Sequence, residues 1–254
     1  MRPWQVPAYE VRALRPRATR YCVVVPVINE GERIRRQLVK MAPLAAAVDL
    51  IVADGGSTDG SLDAPGELCA VLTKTGPGKL GAQIRMGFAY ALEQGYEGVV
   101  LVDGNDKDDT AAVPAFIAEL ERGADFVQGS RYLPGGAGIN TPLARHLAVR
   151  LLHAPVISLA ARKRYTDTTN GFRGYSARLL RDERVAPFRD VFAGYELHYY
   201  LAIRAARLGF QVREIPVRRE YPKTGPVPSK ISPLRGSLGV LGSLFASALG
   251  RFDP

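Results

Sequence analysis

The feature that most constrains this chain is an alternation. Short aliphatic runs are each followed by a segment whose apolar residues recur at helical spacing. "YCVVVPV" (21–27) precedes "NEGERIRRQLVKM" (29–41), in which Ile34, Leu38 and Met41 share one helical face. "DLIVAD" (49–54) ends in the turn-rich "GGSTDGS". "CAVLT" (69–73) passes through "GPGKLG" into a helix carrying Leu80, Ile84, Phe88 and Leu92. "GVVLVD" (98–103) leads into a cluster of acids and a helix around Val113, Phe116, Ile117 and Leu120. Strand and helix in turn, four times over, predict an α/β fold with a doubly wound, mostly parallel sheet flanked by helices. Such sheets bind ligands beyond the carboxyl ends of their strands. Asn29, Asp54, Gly78 and Asp103 all fall at or just after such ends, so the site is expected there.

After "DFVQGS" (125–130) the pattern loosens into a basic amphipathic stretch (141–164), a Thr/Gly-rich turn (166–174), a helix (195–208) and a strand (210–217). Leu234, Leu238, Leu241, Phe245 and Ala248 predict a C-terminal amphipathic helix. Without a linker or repeat, one domain is expected over 1–254. Its parts would be a nucleotide-sugar half at about 20–105, an acceptor half at 106–220, and a basic loop with the helix at 221–254. Charge is placed unevenly. The net charge is +9, and it gathers at the two ends, leaving the middle of the chain near neutral. A basic periphery suits a phosphate-bearing or anionic-membrane partner as well as it suits plain solubility. Cys22 and Cys69 lie in apolar strands and read as buried free thiols. The longest apolar stretch, 147–161, is broken by Arg150, His153 and Pro155, short of the roughly 18 uninterrupted residues of a span. With no secretory pattern at the N-terminus, a cytoplasmic protein is expected.

Two motifs admit rival chemistries. "GPGKLG" matches a dinucleotide fingerprint and keeps a nicotinamide-dependent oxidoreductase in play, although two strand–helix units precede it. As a phosphate-cradling P-loop it fails, because Leu80 follows Lys79 where Ser or Thr is needed. In "VVLVDGNDKDDT" four carboxylates, Asp103, Asp106, Asp108 and Asp109, crowd into seven residues. A calcium loop is excluded by Lys107, Asp108 and Pro114 at positions that need a ligand, a glycine and a closing Glu. What remains is a carboxylate and a carboxamide two residues apart, hard oxygens suited to Mg2+ or Mn2+ whose other positions are filled by phosphates. Asp108 and Asp109 are expected to cap the next helix, and Asn29 with Glu32 resembles a capping box.

Taken together and in order, "VVVPVINEGERI", "IVADGGSTDGS", "GKLGAQIRMGFAYAL", "VVLVDGNDKDD", "DFVQGSRY" and "DTTNGFRGYS" resemble the family 2 glycosyltransferases of GT-A fold, over about residues 20–235. The likeness is greatest to the dolichol- and polyprenyl-phosphate sugar synthases. It implies an inverting, metal-dependent transfer of a hexose from a nucleotide-diphosphate sugar. Pro26, Asn29 and Glu30 would lie near base and ribose, Asp54 would bond the base, and Lys79 and Arg131 would face the diphosphate. Gly55 stands where the family has a second acid. Asp103 keeps the ligand role of the D-x-D motif, Asn105 replaces its second Asp, and Asp106 is the alternative third ligand. Asp167 and Arg173 fall in the acceptor segment, and Glu196 opens a helix beside it.

The acceptor divides the expectations. A hydroxyl on a soluble metabolite or growing glycan needs a general base, Asp167 or Glu196. A phosphate monoester is already anionic and needs cations, which Arg218, Arg219, Lys223 and Lys230 supply. In the polyprenyl-phosphate synthases an Arg and an "SK" pair in this region gather the lipid phosphate, and Arg219 and Lys230 resemble them. A polyprenyl phosphate is therefore the expected acceptor, with peripheral membrane contact by the 234–248 helix. No nucleic-acid partner is expected, and a homo-oligomer is compatible with the sequence. A non-catalytic sugar-nucleotide-binding protein is the remaining alternative.

Overall fold

The computed structural model describes residues 3–62, 68–223 and 235–254. Strand β2 (Tyr21–Val27) is buried along its whole length, as an aliphatic run with a neighbour on each side and helices on both faces must be. It pairs in parallel with β3 (Asp49–Asp54) and with β5 (Gly98–Leu101), and β4 (Cys69–Lys74) continues the set beyond β3. Three helices cross between or follow these strands: α1 (Glu32–Met41), α2 (Leu80–Glu93) and α3 (Val113–Glu121). Side chains alternate across β2. Cys22 and Val24 join the core under α2, while Val23, Val25 and Val27 join Ile34, Leu38 and Met41 of α1 on the other face. Each fully buried branched aliphatic contributes about 1.5–3 kcal/mol, so this register is strongly specified. Cys22 and Cys69 are free and buried, as their apolar surroundings required.

The second half adds β6 (Phe126–Ser130) and β9 (Val212–Pro216), parallel to each other. Four strands have no aliphatic run to announce them: β1 (Tyr9–Ala13), β7 (Ala137–Ile139), β8 (Arg173–Ser176) and β10 (Arg218–Glu220). β8 matters most. It runs antiparallel between β5 and β6, with Arg173 opposite both Leu101 and Gln128. The eight-stranded order is β1-β4-β3-β2-β5-β8-β6-β9, and β7 pairs with β10 in a separate two-stranded sheet. Inserting β8 brings the turn before it to the carboxyl end of β5, where Asp103 emerges.

Around this sheet lie α4 (Leu143–Ala148), a π-helical turn (Val149–His153), α5 (Ala154–Ala161), α6 (Ala177–Arg181), α7 (Glu196–Arg207) and α8 (Arg235–Ala248). The predicted C-terminal helix is present, and it packs on α5 and α7 with Leu244 fully buried. No helix among the described residues is long and apolar enough to cross a membrane. One local expectation fails. Asn29 does not cap α1, whose N-cap is Gly31 at φ 54°, without a side-chain bond. Asn29 itself takes φ 48° and turns its side chain toward the loop after β3.

Candidate active site

The parallel register places Val27 beside Asp54, so the ends of β2 and β3 form one ledge. Asp54 is fully buried. One carboxylate oxygen accepts from Ser57 N (2.9 Å) and Ser57 Oγ (2.6 Å), which fixes the "GGSTDGS" turn. Its other oxygen, Oδ2, is buried without a partner. Asn29 ties the two strand ends together: its N–H donates to Ser57 Oγ (3.0 Å) and its Oδ1 accepts from Thr58 N (2.8 Å). Pro26 lends its carbonyl to Gly104 N (3.2 Å), and Glu30 pairs with Arg33 at 2.8 Å. Lys79 is exposed at the start of α2. Gln83 explains why Gly55 replaces an acid. Its Nε2 bridges the carbonyls of Val27 (2.6 Å) and Ala53 (3.1 Å), and a Cβ on Gly55 would stand 2.7 Å from that nitrogen.

The acids after β5 do not act as one cluster. Gln37, buried on the inner face of α1, clamps their turn by donating to the Asp103 carbonyl (3.0 Å) and accepting from Asp106 N (2.7 Å). Asp106, at φ 57°, points to α1 and pairs with Lys40 (2.7 Å) and Arg36 (3.2 Å), so its charge is already answered there. Asp109 accepts from Ala111 N and caps a short 3-10 turn, as expected. Asp108 is no cap: it is buried in an ion pair with Arg219. Arg219 also donates to Asp103 Oδ2 at 3.0 Å. Burial opposes the charge on Asp103, but Arg219 and then Lys107 outweigh it and hold the carboxyl below its usual range. Asp108 goes the other way, because burial dominates and Asp103 adds repulsion. Lys107 is pushed down to about 8 by burial and by Arg219.

Asp103 and Asn105 lie together, with Asn105 Nδ2 3.4 Å from Asp103 Oδ2 and Asn105 Oδ1 buried without a partner. Gly171 opens the space beside them, since a Cβ there would come within 2.7 Å of Asp103 Oδ1. Among the described residues no three His, Cys, Asp or Glu side chains converge as a complete cage. The donor set nevertheless fits Mg2+ or Mn2+. Such ions need only one or two protein oxygens when phosphates fill the remaining positions. His198 borders the same space, kept neutral with its pKa pushed down to about 3 by burial and by Arg173.

In the second half of the chain, Arg131 and Asp167 form a buried bidentate pair, Nε to Oδ2 at 2.7 Å and Nη2 to Oδ1 at 3.0 Å. Asp167 also accepts from Thr169 N (3.1 Å). This carboxylate, the first candidate base, is thus spent on orienting Arg131. Glu196, the second, accepts from Gly194 N (2.6 Å) across its own helix start. Arg173 departs furthest from expectation. It is buried, and its guanidinium donates to the carbonyls of Asn170 (2.9 Å), His198 (2.5 Å) and Thr168 (2.8 Å). A guanidinium so fully bonded clamps the 167–173 turn to α7 and is not available to an acceptor. Lys230 lies outside the described residues.

Tyr221, just after β10, is a centre that the motifs do not mark. Its buried hydroxyl accepts from Arg131 Nη1 and Arg145 Nη1, each at 3.3 Å. Lys107, Arg145 and Arg219 stand 5.4, 5.3 and 5.9 Å from its ring centroid. Burial would raise the phenol's pKa, but Arg219, Arg131 and Arg145 bring it below its usual value. Four cations thus converge from four separate segments, against the carboxylates of Asp103, Asp108 and Asp167. No local sequence signal joins those segments. Gln37 and Gln83 were more legible, since a Gln on a buried helical face must find partners.

The dinucleotide fingerprint is corrected by the same structure. The N–H groups of Lys79 and Gly81, which a pyrophosphate would need, donate to the Ala193 carbonyl at 3.0 and 3.1 Å. Gly81 permits close passage of that loop, because a Cβ would collide with the Phe192 and Gly194 carbonyls.

Comparison with known proteins identifies the family. The family model described as glycosyl transferase family 2 matches residues 22–185. The undecaprenyl-phosphate mannosyltransferase of Micrococcus luteus is 30% identical over 207 residues, covering 78% of this chain and 82% of that protein. The polyprenol monophosphomannose synthase of Mycolicibacterium smegmatis is 28% identical over 205 residues, covering 78% and 76%. Among solved structures, glucosyl-3-phosphoglycerate synthase from Mycobacterium tuberculosis, in complex with Mn2+, UDP and glucosyl-3-phosphoglycerate, superposes with a TM-score of 0.64. Its sequence identity is 21%, and the match covers 92% of this chain and 80% of that one.

Proposed function

The chain belongs to glycosyl transferase family 2 and has the GT-A fold, and from that premise we propose that it moves a hexose, with inversion, from a nucleotide-diphosphate sugar to the phosphate of a polyprenyl phosphate. One observation carries the acceptor. Four cations surround Tyr221 beside the strand-end site, while Asp167, the first carboxylate that could take a proton from a hydroxyl, is held in its pair with Arg131. A phosphate oxygen attacks the anomeric carbon from the face opposite the nucleoside diphosphate. One C–O bond forms, the other breaks, and no proton need leave the nucleophile. The two curated relatives, by their names, act on lipid phosphates of this kind.

Each side chain has a part in this reading. The buried, unpartnered Oδ2 of Asp54 accepts an N–H of the base, and Asn29 with Pro26 holds the ledge beneath it. Asp103 and Asn105 would hold a Mg2+ or Mn2+ ion. When bound, that ion would offset the negative charge growing on the departing diphosphate. Asp167 is a positioning residue for Arg131, which it holds by two nitrogens so that the third reaches the Tyr221 hydroxyl and adds its charge to the field there. Arg219 lies between Asp103 and the Tyr221 cluster, placed to receive the acceptor phosphate next to the donor. The whole of 1–254 works as one domain, its sheet drawing strands from the donor and acceptor halves alike.

The test compares a short polyprenyl phosphate with the corresponding alcohol, using wild type and Glu196→Gln. The proposal expects transfer to the phosphate alone, with kcat for Glu196→Gln within about tenfold of wild type. Transfer to the alcohol, with collapse in Glu196→Gln, would replace it by the hydroxyl-acceptor reading.

A further inference from the structure

Arg145, on α4, carries a charge that no carboxylate among the described residues answers. Arg131 has Asp167, and Arg219 has Asp103 and Asp108. Arg145 is half-buried, and its Nη1 donates to the Tyr221 hydroxyl at 3.3 Å, with the guanidinium 5.3 Å from the centre of the same ring. Its Nε and Nη2 have no protein partner among the described residues. Withdrawing a guanidinium this far from water without a counter-charge is unfavourable unless an anion comes to it from outside.

Tyr221 is fixed at every point. It is 2% exposed, its N–H donates to the Ile139 carbonyl (3.0 Å), and its own carbonyl accepts from Asn140 Nδ2 (3.1 Å). Asn140 takes φ 52°, a left-handed backbone that few residues besides Gly, Asn and Asp adopt. Both anchors lie at the end of β7, the strand on which β10 pairs. The hydroxyl then receives Arg131 Nη1 and Arg145 Nη1 from two separate segments, so a single oxygen sets how far apart the two forks stand. The residue type matters as much as the place. A carboxylate here would gather the same cations and cancel them, as Asp167 does for Arg131. A phenol oxygen accepts both bonds with its proton still in place, and its ring adds cation–π attraction, so the cations keep their charge for a ligand.

We infer that Tyr221 is a positioning residue for the transfer, holding Arg145 beside Arg131 at the spacing that an incoming phosphate monoester meets. It acts through the two arginines and takes no part in bond making. A misplaced cation leaves the nucleophile misplaced as well, which is why a post this rigid serves the reaction. The identity of the acceptor rests on the polyprenyl-phosphate reading above; the gathering of an anion by the two arginines requires only a phosphate group.

The test uses the full chain in two measurements: steady-state kinetics on a short polyprenyl phosphate, and calorimetric titration of inorganic phosphate into protein saturated with Mn2+ and nucleoside diphosphate. Tyr221→Phe removes the hydroxyl and keeps the ring. It should raise KM for the lipid phosphate and Kd for phosphate by about tenfold or more, with kcat within about threefold and donor KM unchanged. Arg145→Met should raise the same two constants, and adding Tyr221→Phe to it should cost less than about threefold more, since the two changes act through one guanidinium. Asn140→Gly keeps the left-handed backbone, loses the bond to the Tyr221 carbonyl, and should shift both constants the same way by a smaller factor. Unchanged acceptor KM and phosphate Kd in Tyr221→Phe would overturn the inference. So would equal rises in donor and acceptor KM, the mark of a structural role, or full multiplication of the Tyr221→Phe and Arg145→Met effects. Phosphate binding that Tyr221→Phe weakens, in a protein that transfers sugar only to a hydroxyl, upholds the anion-gathering role and removes only the acceptor's identity. Transfer to polyprenyl phosphate that Tyr221→Phe leaves unimpaired does the reverse.

Discussion

Arg131 and Asp167 form a buried, bidentate pair, and breaking one partner strands the other's charge. Asp167→Asn is therefore expected to cost about 3–5 kcal/mol of stability, lowering Tm by on the order of 10 °C. The double change Arg131→Met with Asp167→Leu should be milder than either single change. Thermal melts of wild type, Arg131→Met, Asp167→Leu and the double variant check this. Asp103 stands differently, at a strand end where the proposed site places the diphosphate. Asp103→Asn removes one of the two carboxylates paired with Arg219 and leaves Asp108, so it should lower Tm less than Asp167→Asn, weaken Mn2+ binding measured by calorimetry, and reduce turnover by about 100-fold or more. Gly171→Ala probes the same carboxylate from outside, because its Cβ would come within 2.7 Å of Asp103 Oδ1. It should lower metal affinity while the fold persists. Asp54, Asp103 and Asn105 were legible because polar residues at the ends of aliphatic runs have few other reasons to be there. Arg173 misled for a physical reason: an arginine that clamps three carbonyls and one that binds a phosphate look the same in sequence.

At the scale of elements, the 143–161 helix is held to α7 by His153, whose Nδ1 lies 3.2 Å from the Tyr199 hydroxyl in a stacked pair. Burial lowers the His153 pKa below its usual 6.5. The unfolded chain thus takes up a proton that the folded chain refuses as pH falls through about 6.5. Stability is then lost on acidification, by at most about 1.4 kcal/mol per pH unit for this one group. Urea titrations between neutral and mildly acid pH should show a slope to which His153 and the more strongly depressed His198 both contribute, and His153→Asn should remove its own share. β2 to β5, with their continuous aliphatic runs, and β9 were readable from the sequence, as were α1, α2, α3, α7 and α8, whereas β6 lies where the pattern loosens and its "FVQGS" has only two apolar side chains in a row. β8 was not, because "RGYS" offers neither alternation nor an aliphatic run, and Gly174 packs on Val127 only once β6 is beside it. The Tyr221 cluster was hidden for the same reason, since its cations meet only when β10 pairs with β7.

For the whole molecule, both halves of the chain contribute strands to one sheet, so a ligand at the strand ends should stabilise the chain as a unit. Nucleotide sugar with Mn2+ at about 100 times Kd should add about 2.7 kcal/mol, raising Tm by about 5–10 °C, and Asp54→Ala should lose most of that shift. The fold and the donor ledge follow from local patterns repeated along the chain. The acceptor depends on long-range meetings of Arg131, Arg145, Arg219 and Tyr221, and so the claim that needs the most direct test is the acceptor. Protein is incubated with radiolabelled nucleotide sugar, Mn2+ and a short polyprenyl phosphate, and the label is counted after partition between water and organic solvent. The account predicts label in the organic phase, dependent on the lipid phosphate and lost in Asp103→Asn. Label that stays in the aqueous phase across the common nucleotide sugars, while a soluble hydroxyl acceptor becomes labelled, would contradict it.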